Sequence, residues 1–498
     1  MIGRLVRSYL YVFQHYPALI GMGVIVIVMQ LAWSLVMFVL PLYFKHQLHQ
    51  SSAIGFVLLA FLGTETLLKP WFGELGDRWG RKPMILAGCA VAMLAMGLCY
   101  LPTSSSWWLF LPLMTLNGMA AAAIWPAVTA YMGERVPVHD KAAAMSVFEG
   151  GYLVGFGAGG AAGLYLGGVL GNRMLFLIAV VFFLGAMALT AVLVKSGVYR
   201  EESSKFDEYD TLPEVQSLLQ SGVALLREIP MLSRLMFVYV MSQFAVTAMA
   251  PIVSLYGVQE LGRSQEEMAG LFLGPMMVVA AFGVAMGRLA DAIGKVRAVK
   301  LCYLVAAGCL VLMFAARAPQ PGEVIKLDGK TVTAKRPRRD DMQIGDVLTV
   351  RREAESVARV RVSEVEDDRF AAELVSGRPR LGDGVFVKAH AWQIVLLLVS
   401  LTLLGLAYAL GAPSLLGLGS AVAPQVKQGQ ALGLMNAAQG VGSCLGVITG
   451  PLLYDRVSPQ APIVMAGVMF ALCVFYAQAR LGELSGVGPS PGGRAASP

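Results

Sequence analysis

Twelve apolar stretches divide the chain, and no other feature constrains its fold as strongly. A helix needs about 20 mostly apolar residues to cross the hydrocarbon core of a bilayer, so the stretches read as membrane spans. They run Leu19–Tyr43, Ile54–Trp71, Met84–Leu101, Trp107–Tyr131, Ala144–Leu170, Leu175–Val194, Leu235–Tyr256, Ala269–Gly287, Ala298–Ala316, Trp392–Leu410, Leu432–Tyr454 and Ile463–Tyr476. Composition agrees: of 498 residues 56% are hydrophobic and 14% charged, with a mean hydropathy of +0.65, far from a soluble domain. The breaks are short apart from Lys195–Arg234 and a charged segment, Ala318–Lys388.

Lys and Arg in the short loops orient the bundle, because positive loops stay in the cytoplasm. Arg4 and Arg7 precede the first span, and Arg78, Arg81 and Lys82 follow the second. Arg135 and Lys141 follow the fourth, Arg200, Lys205 and Arg227 the sixth, and Arg288, Lys295 and Arg297 the eighth. A multi-pass protein of the cytoplasmic (inner) membrane with both termini inside is expected, and no cleavable signal peptide is evident. The net charge of +7 is then an orientation signal, with the bilayer as partner and no nucleic acid. Cys89, Cys99, Cys302, Cys309, Cys444 and Cys473 fall within spans at no metal-ligand spacing, so they read as packing residues, with no metal or cofactor implied.

The chain repeats itself. "GELGDRWGRK" at Gly73 returns as "GRLADAIGKV" at Gly287, where Asp291 and Gly294 stand in the places of Asp77 and Gly80. "KAAAMSVFEGGYLVGFGAGGAAG" from Lys141 returns as "QGQALGLMNAAQGVGSCLGVITG" from Gln428, putting Gly155, Gly159 and Gly163 on Gly442, Gly446 and Gly450. Removing the charged segment brings the two copies almost into register. The expected organisation is a six-helix half over 1–195, a linker over 196–234 and a second half split into 235–317 and 389–480. An inserted module occupies 318–388, and 481–498 reads as a disordered cytoplasmic tail.

With these motifs the sequence resembles a transporter of the major facilitator superfamily, close to its drug and metabolite exporter groups. The resemblance covers all but the insertion, and the signature between its helices 2 and 3 is matched at Gly73, Leu75, Asp77, Arg78, Gly80, Arg81 and Lys82. It implies twelve helices in two bundles, alternating access, no enzyme activity and the proton as coupling ion. Gly73 is expected to end the second helix with a close approach, and Gly80 to make the turn into the third. Asp77 would face the positive end of the eleventh helix near Gly429–Leu432, and Arg78 and Arg81 would pair with Asp77 or Glu134, forming a conformational latch.

The exporter groups' pattern is partial. Gly151, Gly155, Gly159 and Gly163 recur on the fifth span, but the family's Gly-Pro falls instead at Gly450-Pro451, and Met114 stands where a helix-4 Arg is expected. Ionisable residues inside spans are site candidates by default. Glu65 and Lys69 are spaced to pair; Lys69 equally suits snorkelling, and Glu65 suits a proton or substrate site or a structural partner of Lys69. Glu149 reads as part of the latch rather than the cavity. Gln30, Trp33, Asn117 and Trp125 in the first half, with Gln243, Asn436 and Gln439 in the second, suggest an aromatic and amide cavity for a small-molecule solute. Helix packing is the plain alternative for each of them.

The insertion carries 14 Lys plus Arg and 13 Asp plus Glu. "VLTVRR", "VARVRVSEV" and "RFAAELVS" have strand character, and "IGDVLTV" and "LGDGVFV" repeat one turn-and-strand unit, so a small extracytoplasmic β-barrel or sandwich is expected between helices 9 and 10. An envelope partner would suit it. "PEVQSLLQSGVALLRE" reads as one amphipathic linker helix. Proton-coupled export by a monomer is the leading expectation; proton-coupled uptake, or a non-transporting receptor or scaffold, is the alternative. No nucleophile–base set or nucleotide loop is present, and His139 reads as a loop residue.

Overall fold

A computed structural model of the chain describes residues 17–50, 53–135, 141–194, 224–259, 265–315, 322–335, 344–345, 347–352, 355–366, 369–386, 391–423 and 428–481. Its long helices are Pro17–Met37, Ile54–Trp79, Arg81–Leu98, Phe110–Glu134, Lys141–Leu170, Met174–Leu193, Pro230–Met249, Gln265–Ile293, Lys295–Ala315, Ala391–Val422, Gln428–Arg456 and Ala461–Arg480. These are spans one to twelve. Among the described residues, eleven of them carry a stretch long and apolar enough to cross a membrane. The eighth carries its charges, Glu266, Glu267, Arg288 and Asp291, at its ends, and residues 268–287 between them are uncharged. Arg4, Arg7, His139, the sequence of the expected linker up to residue 223 and the tail beyond residue 481 lie outside the described residues.

Two spans are broken in matching places. The first stops at Met37 and resumes as Leu40–His46, and the seventh stops at Met249 and resumes as Val253–Gln259. Pro41 and Pro251 stand at these breaks, where a proline removes a backbone donor and crowds the preceding turn.

The charged motif at Gly73 corrects an expectation. Gly73 does not end the second helix, which continues to Trp79, so Gly73–Trp79 is helix rather than loop. Gly80 alone makes the turn: its φ of +95° is the left-handed region that favours glycine, and Arg81 already begins the third span. Gly294, with φ +90°, does the same between the eighth and ninth spans, so both copies of the motif share one backbone device.

Within the first half, the first span packs on the fifth and sixth, the second on the fourth, and the third on the fourth and sixth. In the second half the seventh packs on the eleventh and twelfth, and the tenth lies against the eighth and ninth. The halves meet through the fifth span with the eighth and the second with the eleventh.

Close approach of backbones drives the inner contacts, because lipid offers helices no hydrophobic reason to associate. A Cβ on Gly155 would lie 2.7 Å from Ile27 O and 2.8 Å from Gln30 Cβ, and one on Gly442 would strike Val240 O and lie 3.0 Å from Gln243 Cβ. Gly159 meets Ser34 and Leu31, as Gly446 meets Thr247 and Phe244. Even the hydrogen bonds repeat: Ser34 Oγ donates to Gln30 O, and Thr247 Oγ1 to Gln243 O, each at 2.6 Å. The internal duplication is thus written into the packing of spans one and five and of spans seven and eleven.

The insertion is a closed barrel of β1 (Gly322–Asp328), β2 (Thr331–Lys335), β3 (Val347–Arg352), β4 (Glu355–Val365), β5 (Arg369–Gly377) and β6 (Gly384–Phe386). Its order is β1-β2-β5-β4-β3-β6, with antiparallel neighbours throughout. Closure removes exposed edges, and Val324, Val332, Leu348, Val350, Val360, Val362 and Phe370 fill the interior. Gly345 and Gly382, both with positive φ, stand in the turns before β3 and β6, and these strands pair with Val350 opposite Val385. β1 and β6, the strands that connect to spans nine and ten, are also paired, Gly322 opposite Val385.

Candidate functional site

Two ends of the helical bundle can be told apart. Spans nine and ten join the barrel at one, the barrel end; the Gly80 turn lies at the other, the motif end. In a bundle with alternating direction, the first, fifth and eleventh spans finish at the barrel end.

At the level of the bundle centre, the first half presents aromatic and amide groups. Trp33 Nε1 donates to Asn117 Oδ1 at 3.2 Å, joining the first and fourth spans, while the Asn117 Nδ2 is buried without a partner. Trp33 packs on Trp125 and Phe183 with ring centroids 5.3 and 5.0 Å apart. From Trp125 the rings continue along the fifth span through Tyr152 at 5.5 Å and then Phe156 at 6.3 Å. Phe156 meets Phe38 at 5.1 Å, and Phe38 meets Phe272 of the second half at 5.5 Å. Phe148, Tyr152 and Phe156 are half-buried. Gly160, one turn on, leaves the space the Phe38 ring occupies, since a Cβ there would lie 2.6 Å from it. Such pairs add about 0.5–1.5 kcal/mol each beyond the area they bury, so the ladder is an ordered surface.

Gln30 and Gln243 occupy equivalent buried positions in the two halves, and Gln243 Oε1 has no partner. Asn436 is exposed and Gln439 half-buried on the eleventh span, so these two do not join the buried amides.

Glu65 is buried mid-way along the second span, and its Oε1 lies 2.7 Å from Lys69 Nζ. Lys69 itself is exposed. The expected pairing is thus formed. Beside Glu65, the Thr66 side chain fills the place a Cβ on Gly440 would need, so this carboxylate stands next to a contact between the halves. Gly118 of the fourth span presses on the same turn, against Phe61 O and Glu65 N.

At the motif end, Arg81 donates from Nε at 3.0 Å and from Nη2 at 2.6 Å to the same Glu134 oxygen, tying the third span to the fourth. Arg78 pairs with Glu74 at 2.7 Å, one turn back on its own helix, rather than with Glu134. Lys82 Nζ donates to Ala191 O at 2.7 Å, placing a cation at the carbonyl end of the sixth span, where the helix dipole favours it. The side chains of Asp77, Glu149, Asp291, Gln428 and Gln430 and the surroundings of Gly287 and Gly429 lie outside what is described, so the expected approach of Asp77 to the eleventh span does too.

Among the described residues, contacts between the halves lie along two flanks. Gly55 packs on Val447 and Ile448, Gly63 on Cys444 and Gly440 on Thr66, running from the barrel end to mid-span. On the other flank Gly168 meets Glu266, Gly167 meets Gln265, and Gly157 meets Met276, again from the barrel end to mid-span. Beyond Thr66 and Met276, toward the motif end, Leu67, Trp71, Met277 and Phe282 are exposed.

Of the expected cavity residues Trp33, Trp125, Asn117 and the glutamines, the structure brings the first three together. Phe38, Tyr152, Phe156 and Phe272 join them without having been expected from the sequence. A signal for the paired glutamines was present, since "QLAWS" from Gln30 and "QFAVT" from Gln243 share the spacing Gln-x-Ala-x-Ser/Thr.

A family model described as Major Facilitator Superfamily matches residues 22–325 and 384–495, skipping a stretch that falls inside the barrel. Multidrug resistance protein 2 of Bacillus subtilis (strain 168) is 28% identical over 294 residues, covering 59% of this chain and 68% of that protein. The multi-drug resistance efflux pump PmrA of Streptococcus pneumoniae is 29% identical over 238 residues, 46% of this chain and 55% of that protein. Multidrug resistance protein MdtG of Yersinia enterocolitica is 30% identical over 301 residues, 57% of this chain and 66% of that protein. The latter two matches thus span less than two thirds of the relatives' own length. Among solved structures, the nucleoside transporter NupG aligns with a TM-score of 0.64 at 10% identity, and the human organic anion transporter MFSD10 with 0.58 at 16%. Each alignment covers 93% of this chain and 99% of the other, a likeness of fold. The family and these relatives are transporters, not enzymes.

Proposed function

This chain is a membrane transporter belonging to the Major Facilitator Superfamily, and on that premise we propose that it exports a small organic solute by alternating access, coupled to proton entry. The single observation that carries the reading is the packing of the halves on each other, which among the described residues runs from the barrel end to mid-span. A transporter paused with one face closed has this shape. The efflux relatives support the outward direction, and the Lys and Arg concentrated at the motif end support a cytoplasmic location for it.

In this reading the aromatic ladder and the amides of Gln30, Asn117 and Gln243 face the solute, and Glu65 carries the coupling proton when its contact with Lys69 is exchanged. Asp77, Arg78, Arg81, Lys82 and Glu134 form the latch at the cytoplasmic face, with Gly287, Asp291 and Gly294 as its second copy and Glu149 beside it. The six-helix halves rock about the linker, and the barrel rides outside the inner membrane, open to an envelope partner. Purified protein in proteoliposomes, given an imposed pH gradient and a panel of organic solutes, tests the proposal. Gradient-dependent flux that falls in Asp77→Asn is expected; absent flux with every solute would reject it.

A further inference from the structure

Inside the second half, spans seven, nine, ten and twelve enclose a small cavity, whose lining includes Ser242, Val246, Cys302, Tyr303, Tyr408 and Ala412. It has room for about one water molecule. Tyr303 is 2% exposed, and its hydroxyl is buried with no hydrogen-bond partner among the described residues. Such a group carries the full cost of its desolvation. Ser242, 6% exposed, donates its own proton to Tyr239 O at 3.0 Å, which leaves the lone pairs of its Oγ to accept. A donor in want of an acceptor therefore borders the same cavity as an acceptor in want of a donor.

The duplication supplies a comparison. Carried through the spans, the repeats that place Gln30 on Gln243, Gly73 on Gly287 and Gly155 on Gly442 put Met29 and Cys89 in the positions of Ser242 and Tyr303, and Trp33 and Trp125 in those of Val246 and Ala412. Packing agrees with this register: Ile124 fills the space beside Gly88, while Cys302, the counterpart of Gly88, fills the space beside Gly411, the counterpart of Ile124. In the first half the Cys89 thiol meets Met29 Sδ directly at 3.7 Å, both residues being fully buried, and the Trp33 and Trp125 rings pack 5.3 Å apart. Sulfur and indole thus occupy this place in the first half. In the second, the smaller Val246, Ala412 and Ser242 leave it open and partly hydroxyl-lined.

We propose that the cavity is a water site of the second half: one water molecule accepts a hydrogen bond from Tyr303 Oη and donates one to Ser242 Oγ, joining span nine to span seven. The equivalent place in the first half is dry. Water is the ligand this lining selects. Its size matches the space, and its two roles match the free donor and acceptor. An ion would lose its hydration against lining side chains none of which is charged. The site lies within one half, so it stands independently of the transport reading.

X-ray radiolytic labelling of the full purified chain tests the proposal, because it makes hydroxyl radicals from water in place and oxidises the side chains beside a held molecule. Cys302 borders the cavity and Cys89 lies in the dry counterpart, the two being 4% and 0% exposed. Both are thiols, so mass spectrometry of their oxidation compares the two places within one sample. Cys302 is expected to label several-fold faster than Cys89. Ser242→Ala combined with Tyr303→Phe removes the free donor and acceptor, and a void without polar partners stays empty, so labelling of Cys302 should fall to the Cys89 rate. Equal rates in the wild type, or fast labelling of Cys302 that persists in the double variant, overturns the proposal. Should the double variant fail to fold, Ser242→Met, which supplies the first half's residue, decides the matter: a fall to the Cys89 rate supports the site and an unchanged rate rejects it.

Discussion

Replacing Gly159 by Ala places a methyl group against Ser34 Oγ and 2.7 Å from Leu31 O, and replacing Gly446 places one against Thr247 Oγ1 and 2.6 Å from Phe244 O. Neither neighbouring backbone can yield without the helix moving, so the spans must separate by roughly an ångström, losing contacts along several turns. Overfilling a packed interface in this way costs about 1–3 kcal/mol. The substitution also gains about 0.5–1 kcal/mol because alanine favours a helix over glycine. Gly185→Ala and Gly308→Ala isolate that gain, since a Cβ at either meets nothing within 4 Å. The interface variants should therefore unfold below these controls by the whole overfilling cost, about 1–3 kcal/mol, and by similar amounts in the two halves. Thermal unfolding of the four purified variants in detergent reads the difference. Gly159→Ala and Gly446→Ala melting together with the controls would refute the idea that backbone contact at these glycines binds each rocking unit.

Arg81→Lys keeps the charge but loses the two-donor fork onto Glu134, and should cost about 1 kcal/mol at the motif end; thermal unfolding against wild type measures it, and Glu134→Gln should show the same direction. Trp33→Phe keeps the ring packing with Trp125 and Phe183 and removes the donor to Asn117 Oδ1. It leaves a second buried end of that amide unpaired and should cost about 1–3 kcal/mol, again by unfolding. Excising the barrel between the paired residues Gly322 and Val385, with a short glycine turn in its place, keeps spans nine and ten at their present spacing. Solute flux in proteoliposomes should survive, and loss of flux in a folded variant would mean the barrel takes part in transport.

The spans and the duplication were legible because both rest on short-range patterns: a run of about 20 apolar residues and glycines at fixed spacing. Gly80 was readable too, its left-handed turn being a local demand on the backbone. The helical state of Gly73–Trp79 was hidden by its glycines and charges, which resemble a loop. Those charges are compatible with helix, Glu74 and Arg78 lying one turn apart and paired. Strand segments of the barrel showed in their alternation, whereas its closure depends on pairing between β2 and β5 and between β3 and β6, which no local window contains. In the candidate site, Trp33 and Asn117 could be named from residue type within a span, but their bond could not. Tyr152 and Phe156 were overlooked among the glycines that surround them, and Lys45 meets Asp455 across 410 residues of chain, through assembly of the halves alone.

If solute export is coupled to proton movement through Glu65 in the second span, Glu65→Gln in proteoliposomes uncouples the two. With solute inside and a pH gradient imposed across the membrane, the variant is expected to bind solute as the wild type does and to lose the gradient-driven component of flux. Gradient-driven flux equal to that of the wild type would contradict it and leave Glu65 as the structural partner of Lys69.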